Sequence, residues 1–152
     1  MTLRVGIAGY GLAGRYFHAP LLKGCGFEVA AVLTSNEVRK SHALEDFPGT
    51  AVVRTMQQLL SHELDLVVVA SANLAHAEQA TAALKAGIPV VVDKPMGRNY
   101  EETKTIVELS NKLGIPVSTF FNRRWDSDAL TIKKVLASGV LGTIHRMDSR
   151  FE

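Results

Sequence analysis

The sequence predicts a doubly wound α/β domain from Met1 to about Phe120, with a parallel sheet covered on both faces, followed by a shorter piece of different pattern. Three observations carry this. Short apolar runs rich in Val and Ala alternate with helical stretches along most of the chain. The runs are near-continuous, as strands buried on both faces are, rather than alternating apolar and polar. Glycines close several of the helical stretches, so each helix can return the chain to start another strand beside the last.

The elements follow in order. "LRVGIAG" (Leu3 to Gly9) is an apolar run ending in glycine, the first strand. "AGRYFHAPLLKG" (Ala13 to Gly24) has helical spacing and stops at glycine, with Pro20 expected to kink or shorten it. "FEVAAVLTS" (Phe27 to Ser35) is strand two, and "NEVRKSHALEDF" a polar helix closed by Pro48 and Gly49. "TAVVRT" is a short third strand, after which Thr55 caps the helix "MQQLLSH". "LDLVVVAS" (Leu64 to Ser71) is strand four, and "LAHAEQATAALKAG" (Leu74 to Gly87) an Ala-rich helix. "IPVVVD" is strand five. Asn99 and Glu102 resemble a capping box for a helix through Leu113, and "IPVSTFF" is a sixth strand.

After Phe121 the pattern changes. A loop, "NRRWDSD", leads into a helix from about Ser127 to Ser138. "TIHRMDSRFE" then alternates apolar and polar residues like a half-exposed strand. Such a strand is not stable without a sheet to join. The expectation is that residues 121–152 hold a connecting loop, a helix and the first strand of a second α/β domain that is otherwise absent.

Composition sets outer bounds. Apolar residues make up 47% and charged residues 21% of 152, as in soluble globular proteins. A net charge of +2 with scattered Lys and Arg argues against a nucleic-acid partner. No apolar run approaches the roughly 20 residues that span a bilayer, and no signal peptide is evident, so no membrane partner is expected. The single cysteine, Cys25, fits a reducing cytoplasmic setting and reads as a buried or half-buried small residue. His18, His42, His62 and His145 show no metal-ligand spacing, so no metal is expected.

In doubly wound sheets, ligands sit beyond the carboxyl ends of the strands. The loops there are Gly9 to Gly14, Thr34 to Arg39, Ser71 to His76 and Asp93 to Gly97. Gly9, Gly11 and Gly14 spell G-x-G-x-x-G between strand one and its helix. Gly9 permits the tight turn, Gly11 lets backbone approach a pyrophosphate, and Gly14 lets the helix pack on the strand. The N–H groups of the first helical turn then face phosphate, with Ala13 in that turn and Tyr10 and Leu12 flanking the cofactor. A dinucleotide without a 2′-phosphate usually meets an acid at the end of strand two. Here that end reads Leu33-Thr34-Ser35-Asn36. Hydroxyls on Thr34 and Ser35, with charge from Arg39 or Lys40, suit a 2′-phosphate, so NADP is favoured over NAD. A methyltransferase also uses such a glycine loop, but more often carries an acid at that strand end. A non-catalytic NAD(P)-binding sensor and a structural subunit of a longer homologue are the rival classes.

Four stretches together resemble the glucose–fructose oxidoreductase and inositol dehydrogenase family: "GYGLAGRYFHAP", "VVVASANLAHAEQATAALKAG", "PVVVDKPMGRN" and "FFNRRWDSDALTIKKVLASGVLG". The third is the most specific. The family form is Glu-Lys-Pro, and Asp93 replaces the glutamate. The resemblance implies a Rossmann-type NAD(P)-binding domain in a two-domain oxidoreductase acting on sugars, polyols or related carbonyl compounds. Its C-terminal domain would cover the small-molecule substrate and form a homo-oligomer, and the general base, a histidine, would lie beyond Glu152.

On that resemblance Lys94 holds and polarises the substrate oxygen during hydride transfer, between Asp93 and Pro95, and the Lys94–Pro95 bond is expected to be cis. Ser71 and Ala72 leave room for the cofactor and Asn73 can hydrogen-bond it. His76 is a cap partner or a cofactor contact. Asn122 and Arg123 are expected as cofactor or substrate contacts, Trp125 as packing and Asp126 as a helix cap.

Overall fold

In the computed structural model of the chain, residues 2–150 are described. The chain divides into two compact units, residues 1–120 and 121–152.

The first unit carries six strands: β1 (Arg4–Ala8), β2 (Glu28–Leu33), β3 (Ala51–Val53), β4 (Leu66–Val69), β5 (Val90–Val92) and β6 (Val117–Thr119). All neighbouring pairs are parallel, in the order β3-β2-β1-β4-β5-β6. The order reverses between β1 and β4, which makes their carboxyl ends the place where two loops diverge and leave a crevice. The register lines those ends up. Ala8 stands opposite Leu33 and Val69, and Val69 opposite Val92. The ladder runs one bond further on both sides: the Gly9 N–H donates to Leu33 O at 3.0 Å, and the Asp93 N–H to Val69 O at 2.8 Å.

Strand side chains alternate between two cores. Val5 and Ile7 of β1 and Val68 of β4 join Ala19, Leu22 and Ala43, from α1 (Ala19–Gly24) and α2 (Glu37–Asp46). Ala8, Val67 and Val69 point the other way, onto Leu59 of α3 (Met56–Leu60), Ala80, Ala83 and Leu84 of α4 (Asn73–Lys85), and Ile106 of α5 (Tyr100–Leu113). Valines buried on both faces explain the unbroken apolar runs. Each contributes roughly 1.5–3 kcal/mol by leaving water. The alanines of α4 let that helix lie close to the sheet.

Three local devices set the helices. Thr55 and Gln58 form a complete capping box at α3. Asn99 caps α5 by accepting the Glu102 N–H at 2.9 Å, but Glu102 does not reach back to Asn99. Its carboxylate binds the Arg98 N–H and guanidinium instead, so the expected box is half formed. Before α1, residues Gly14–His18 make a π-helical turn, and the Ala19 N–H donates to Gly14 O. The wider turn meets Pro20 at the start of α1, where a missing N–H does no harm. Cys25, expected to be buried or half-buried, is exposed because it ends α1 at a surface turn.

The second unit holds a 3-10 turn (Asn122–Trp125) and α6 (Ser127–Ala137). The strand expected from Thr143 to Glu152 is not formed over residues 143–150, which find no ladder partner; residues 151–152 lie outside the described residues. Leu130, Ile132, Val135, Leu136, Leu141, Ile144 and Met147 are exposed. Among the described residues, no helix is long and apolar enough to cross a membrane.

Candidate functional site

The crevice at the β1/β4 switch is shaped first by missing side chains. Gly9 has φ +100°, and a Cβ there would stand 2.6 Å from Ser71 Cα. A Cβ on Gly14 would stand 2.2 Å from Gly9 O. So the loop after β1, the loop after β4 and the first helix touch backbone to backbone. The first helical hydrogen bond runs from the Arg15 N–H to Gly11 O at 2.9 Å. The amides of Leu12, Ala13 and Gly14 precede it and are the orphan donors of the helix N-terminus, a ready cradle for phosphate. Leu12 is 72% exposed beside them.

Tyr10 does not flank the crevice. Its ring is 1% exposed within the core that holds Ile7 and Val32, and its hydroxyl donates to Asp46 Oδ2 at 2.9 Å. Burial and the Asp46 bond raise the phenol above its usual range. Arg15 donates to the same carboxylate at 2.8 and 3.2 Å, and it is the main cause of a lowered Asp46 pKa. An apolar ring one residue after Gly9 fills the core next to β1 better than it lines a polar cleft. The sequence signal for this was the apolar run into Tyr10.

At the end of β2, Thr34 is buried and its hydroxyl accepts the Asn36 N–H at 3.3 Å, while Ser35 is exposed. Asn36 caps α2. Lys40 pairs with Glu37 at 3.6 Å, and so does Arg54, at 2.7 Å. Arg39 is different. Its guanidinium has no hydrogen-bond or ion-pair partner among the described residues, and its carbon lies 3.5 Å from where a Gly11 Cβ would stand. An exposed cation thus hangs over the second glycine.

The other side of the crevice is built from side chains. The Lys94–Pro95 peptide is cis. The Lys94 N–H donates to Asp93 Oδ1 at 2.8 Å, the Lys94 side chain is exposed, and its amine has no partner among the described residues. The Ser71 hydroxyl donates to Gln79 Oε1 at 2.7 Å, while Ala72 and Asn73 are exposed at the start of α4. His76 is 1% exposed, with Nδ1 2.7 Å from Pro95 O and Nε2 3.1 Å from Ser71 O, so it caps no helix end.

Sequence reasoning overlooked His18. It is 4% exposed, its Nε2 has no hydrogen-bond partner, and that atom lies 4.0 Å from Asp93 Oδ1. Its ring packs on Phe120, with centroids 4.2 Å apart. Burial pushes the imidazole below its usual value, and Asp93 opposes this in part. The π-helical turn that carries His18 inward has no simple sequence signature.

Asn122 and Arg123 belong to the second unit. Arg123 pairs with Asp126 at 3.0 Å. Asp126 stands at the N-cap position just before α6, but its side chain makes no cap bond, because its carboxylate is turned to Arg123. Trp125, expected as packing, is 71% exposed with Lys133 over its ring, and none of the described residues of this unit is buried.

Residues 3–121 match the oxidoreductase family with an NAD-binding Rossmann fold, the glucose–fructose oxidoreductase and inositol dehydrogenase group. The chain belongs to this family. It is 42% identical over 152 residues to the uncharacterised oxidoreductase YdgJ of Escherichia coli, covering 99% of this chain and 43% of that protein. It is 37% identical over 146 residues to the NADP(+) scyllo-inositol 2-dehydrogenase IolW of Bacillus subtilis, covering 95% and 40%. The scyllo-inositol dehydrogenase of Lactobacillus casei, solved with bound NAD(H) and scyllo-inositol, superposes with a TM-score of 0.84 over 93% of this chain and 43% of that one. At 23% identity that likeness is one of fold. The chain spans less than half the length of these relatives.

Proposed function

We propose that this family member is the cofactor-binding part of an oxidoreductase that moves a hydride between a nicotinamide and a C–OH group of a sugar, polyol or related carbonyl compound, with NADP preferred over NAD. The observation that carries the cofactor preference is Arg39, unpaired beside Gly11 where the adenosine end of a dinucleotide reaches β2 in this fold. A free guanidinium with Ser35 beside it suits a 2′-phosphate, and no carboxylate stands at the end of β2 to take a ribose 2′-hydroxyl. The NADP(+) relative IolW supports the same preference.

The cradle fits the group. Gly9, Gly11 and Gly14 leave backbone room, and the amides of Leu12, Ala13 and Gly14 would hold the pyrophosphate. Ser71, Ala72 and Asn73 would border its nicotinamide half. When bound, the dinucleotide supplies hydride acceptance and donation. Lys94 does the chain's own chemistry: its unpartnered amine holds a carbinol or carbonyl oxygen and eases the proton on or off it. Asp93 fixes the Lys94 amide and so the direction of that side chain. Residues 121–152 would open a second domain that carries the general base, closes over the substrate and forms a homo-oligomer. The short coverage of longer relatives supports this division. The setting would be cytoplasmic.

Titrating the chain with NADPH and with NADH, following nicotinamide fluorescence, tests the cofactor half. Tighter binding of NADPH is expected. Binding of neither, or tighter NADH, would contradict it.

A further inference from the structure

We propose that His76 is a positioning residue for the Lys94 turn: its Nδ1–H donates to the Pro95 carbonyl and holds that turn at a fixed spacing from the Ser71 loop. The functional consequence rests on the dinucleotide-binding reading above; the hydrogen-bond assignment does not.

His76 sits in the first turn of α4, is 1% exposed, and has a carbonyl oxygen at each ring nitrogen, at 2.7 and 3.1 Å. Carbonyl oxygens only accept, so an imidazole nitrogen can bond one only through its own N–H. The shorter contact, from Nδ1 to Pro95 O, places a proton on Nδ1. With Nε2 3.1 Å from Ser71 O, the ring acts as a strut between the loops after β4 and β5.

Lys94 is held on both sides by this arrangement. Upstream, Asp93 Oδ1 takes its N–H at 2.8 Å. Downstream, the Pro95 carbonyl is tied to His76 and Met96 is 8% exposed in the core. The Lys94 side chain itself has no partner among the described residues. His76 itself is too enclosed to touch a dinucleotide, so its effect on binding passes through the two loops.

Two measurements on the full chain test this. Side-chain ¹⁵N NMR of the histidines, with His76 assigned by its loss in His76→Asn, should show a proton on Nδ1. A bare Nδ1 would overturn the assignment. NADPH titrations of His76→Asn, His76→Gln and His76→Ala give the second readout. The Asn amide nitrogen falls near the Nδ1 position and the Gln amide nitrogen near Nε2. Asn should bind within about threefold of the parent, while Gln and Ala lose about tenfold, the cost of one buried hydrogen bond. Asn as weak as Ala would overturn the positioning role. A parent chain that binds no NADPH would sink the cofactor reading alone, and the Nδ1 result would still decide the strut.

Discussion

The two sides of the crevice are built by opposite means. On the β1/β2 side the shape comes from atoms that are not there: a Cβ on Gly9 or Gly14 would stand only 2.6 or 2.2 Å from the neighbouring backbone. On the β4/β5 side it comes from buried polar side chains, His76 between two carbonyls and His18 beside Asp93. The glycine side can only present backbone, which suits a phosphate that is the same in every dinucleotide. The histidine side orients one exposed lysine, which suits a reacting oxygen that must be held in one direction.

The largest expected effect lies on the histidine side. In the whole protein, Lys94→Ala should lower turnover by about a thousandfold. Dinucleotide affinity should change less than about twofold, since the amine has no structural partner to lose. Steady-state kinetics beside a binding titration would separate the two, and equal losses in both would break the contrast. On the glycine side, Gly14→Ala should reverse the pattern. The new methyl meets Gly9 O, so stability to urea should fall by about 3 kcal/mol and NADPH binding with it. Unchanged unfolding would mean that the three backbones are not in contact. Arg39→Ala sharpens the comparison at the far end: NADPH affinity should drop about tenfold while NADH affinity stays level, because only the 2′-phosphate is lost as a partner.

The smallest effect is a pH dependence. His18 has its pKa lowered by burial, so the unfolded chain binds this proton more readily than the folded one. Its contribution is present above the ordinary value of 6.5 and is lost as pH falls through the lowered folded value. Stability should therefore decline on acidification from neutral pH, and His18→Leu should flatten that slope. Asp46 has the same sign further down, its stabilisation fading below about its ordinary 3.8. A His18→Leu chain with the parent's slope would show that the ring is not titrating on unfolding.

Much of the fold was legible. Six apolar runs became six parallel strands; the four interior ones have no polar face to confuse the pattern, and the glycine turns marked where helices stop. The glycine loop was legible for the same reason, since its chemistry is the absence of side chains in a fixed spacing. What stayed hidden depends on distant pairing. Nothing near Tyr10 announces Asp46, 36 residues on. Nothing near His18 announces Asp93 or the π-helical turn that brings it inward. His76 was visible as a residue but not as a strut, because both of its acceptors are backbone. The strand expected after Thr143 failed because alternation predicts a face and not a partner.

The central claim is that one dinucleotide lies across both halves, with its redox ring at Lys94. A crystal structure of the chain with NADP⁺ tests it most directly. The pyrophosphate should lie over Gly11, the 2′-phosphate at Arg39 and the nicotinamide beside the Lys94 amine. A nucleotide seated elsewhere, or that amine turned away into bulk water, would contradict it.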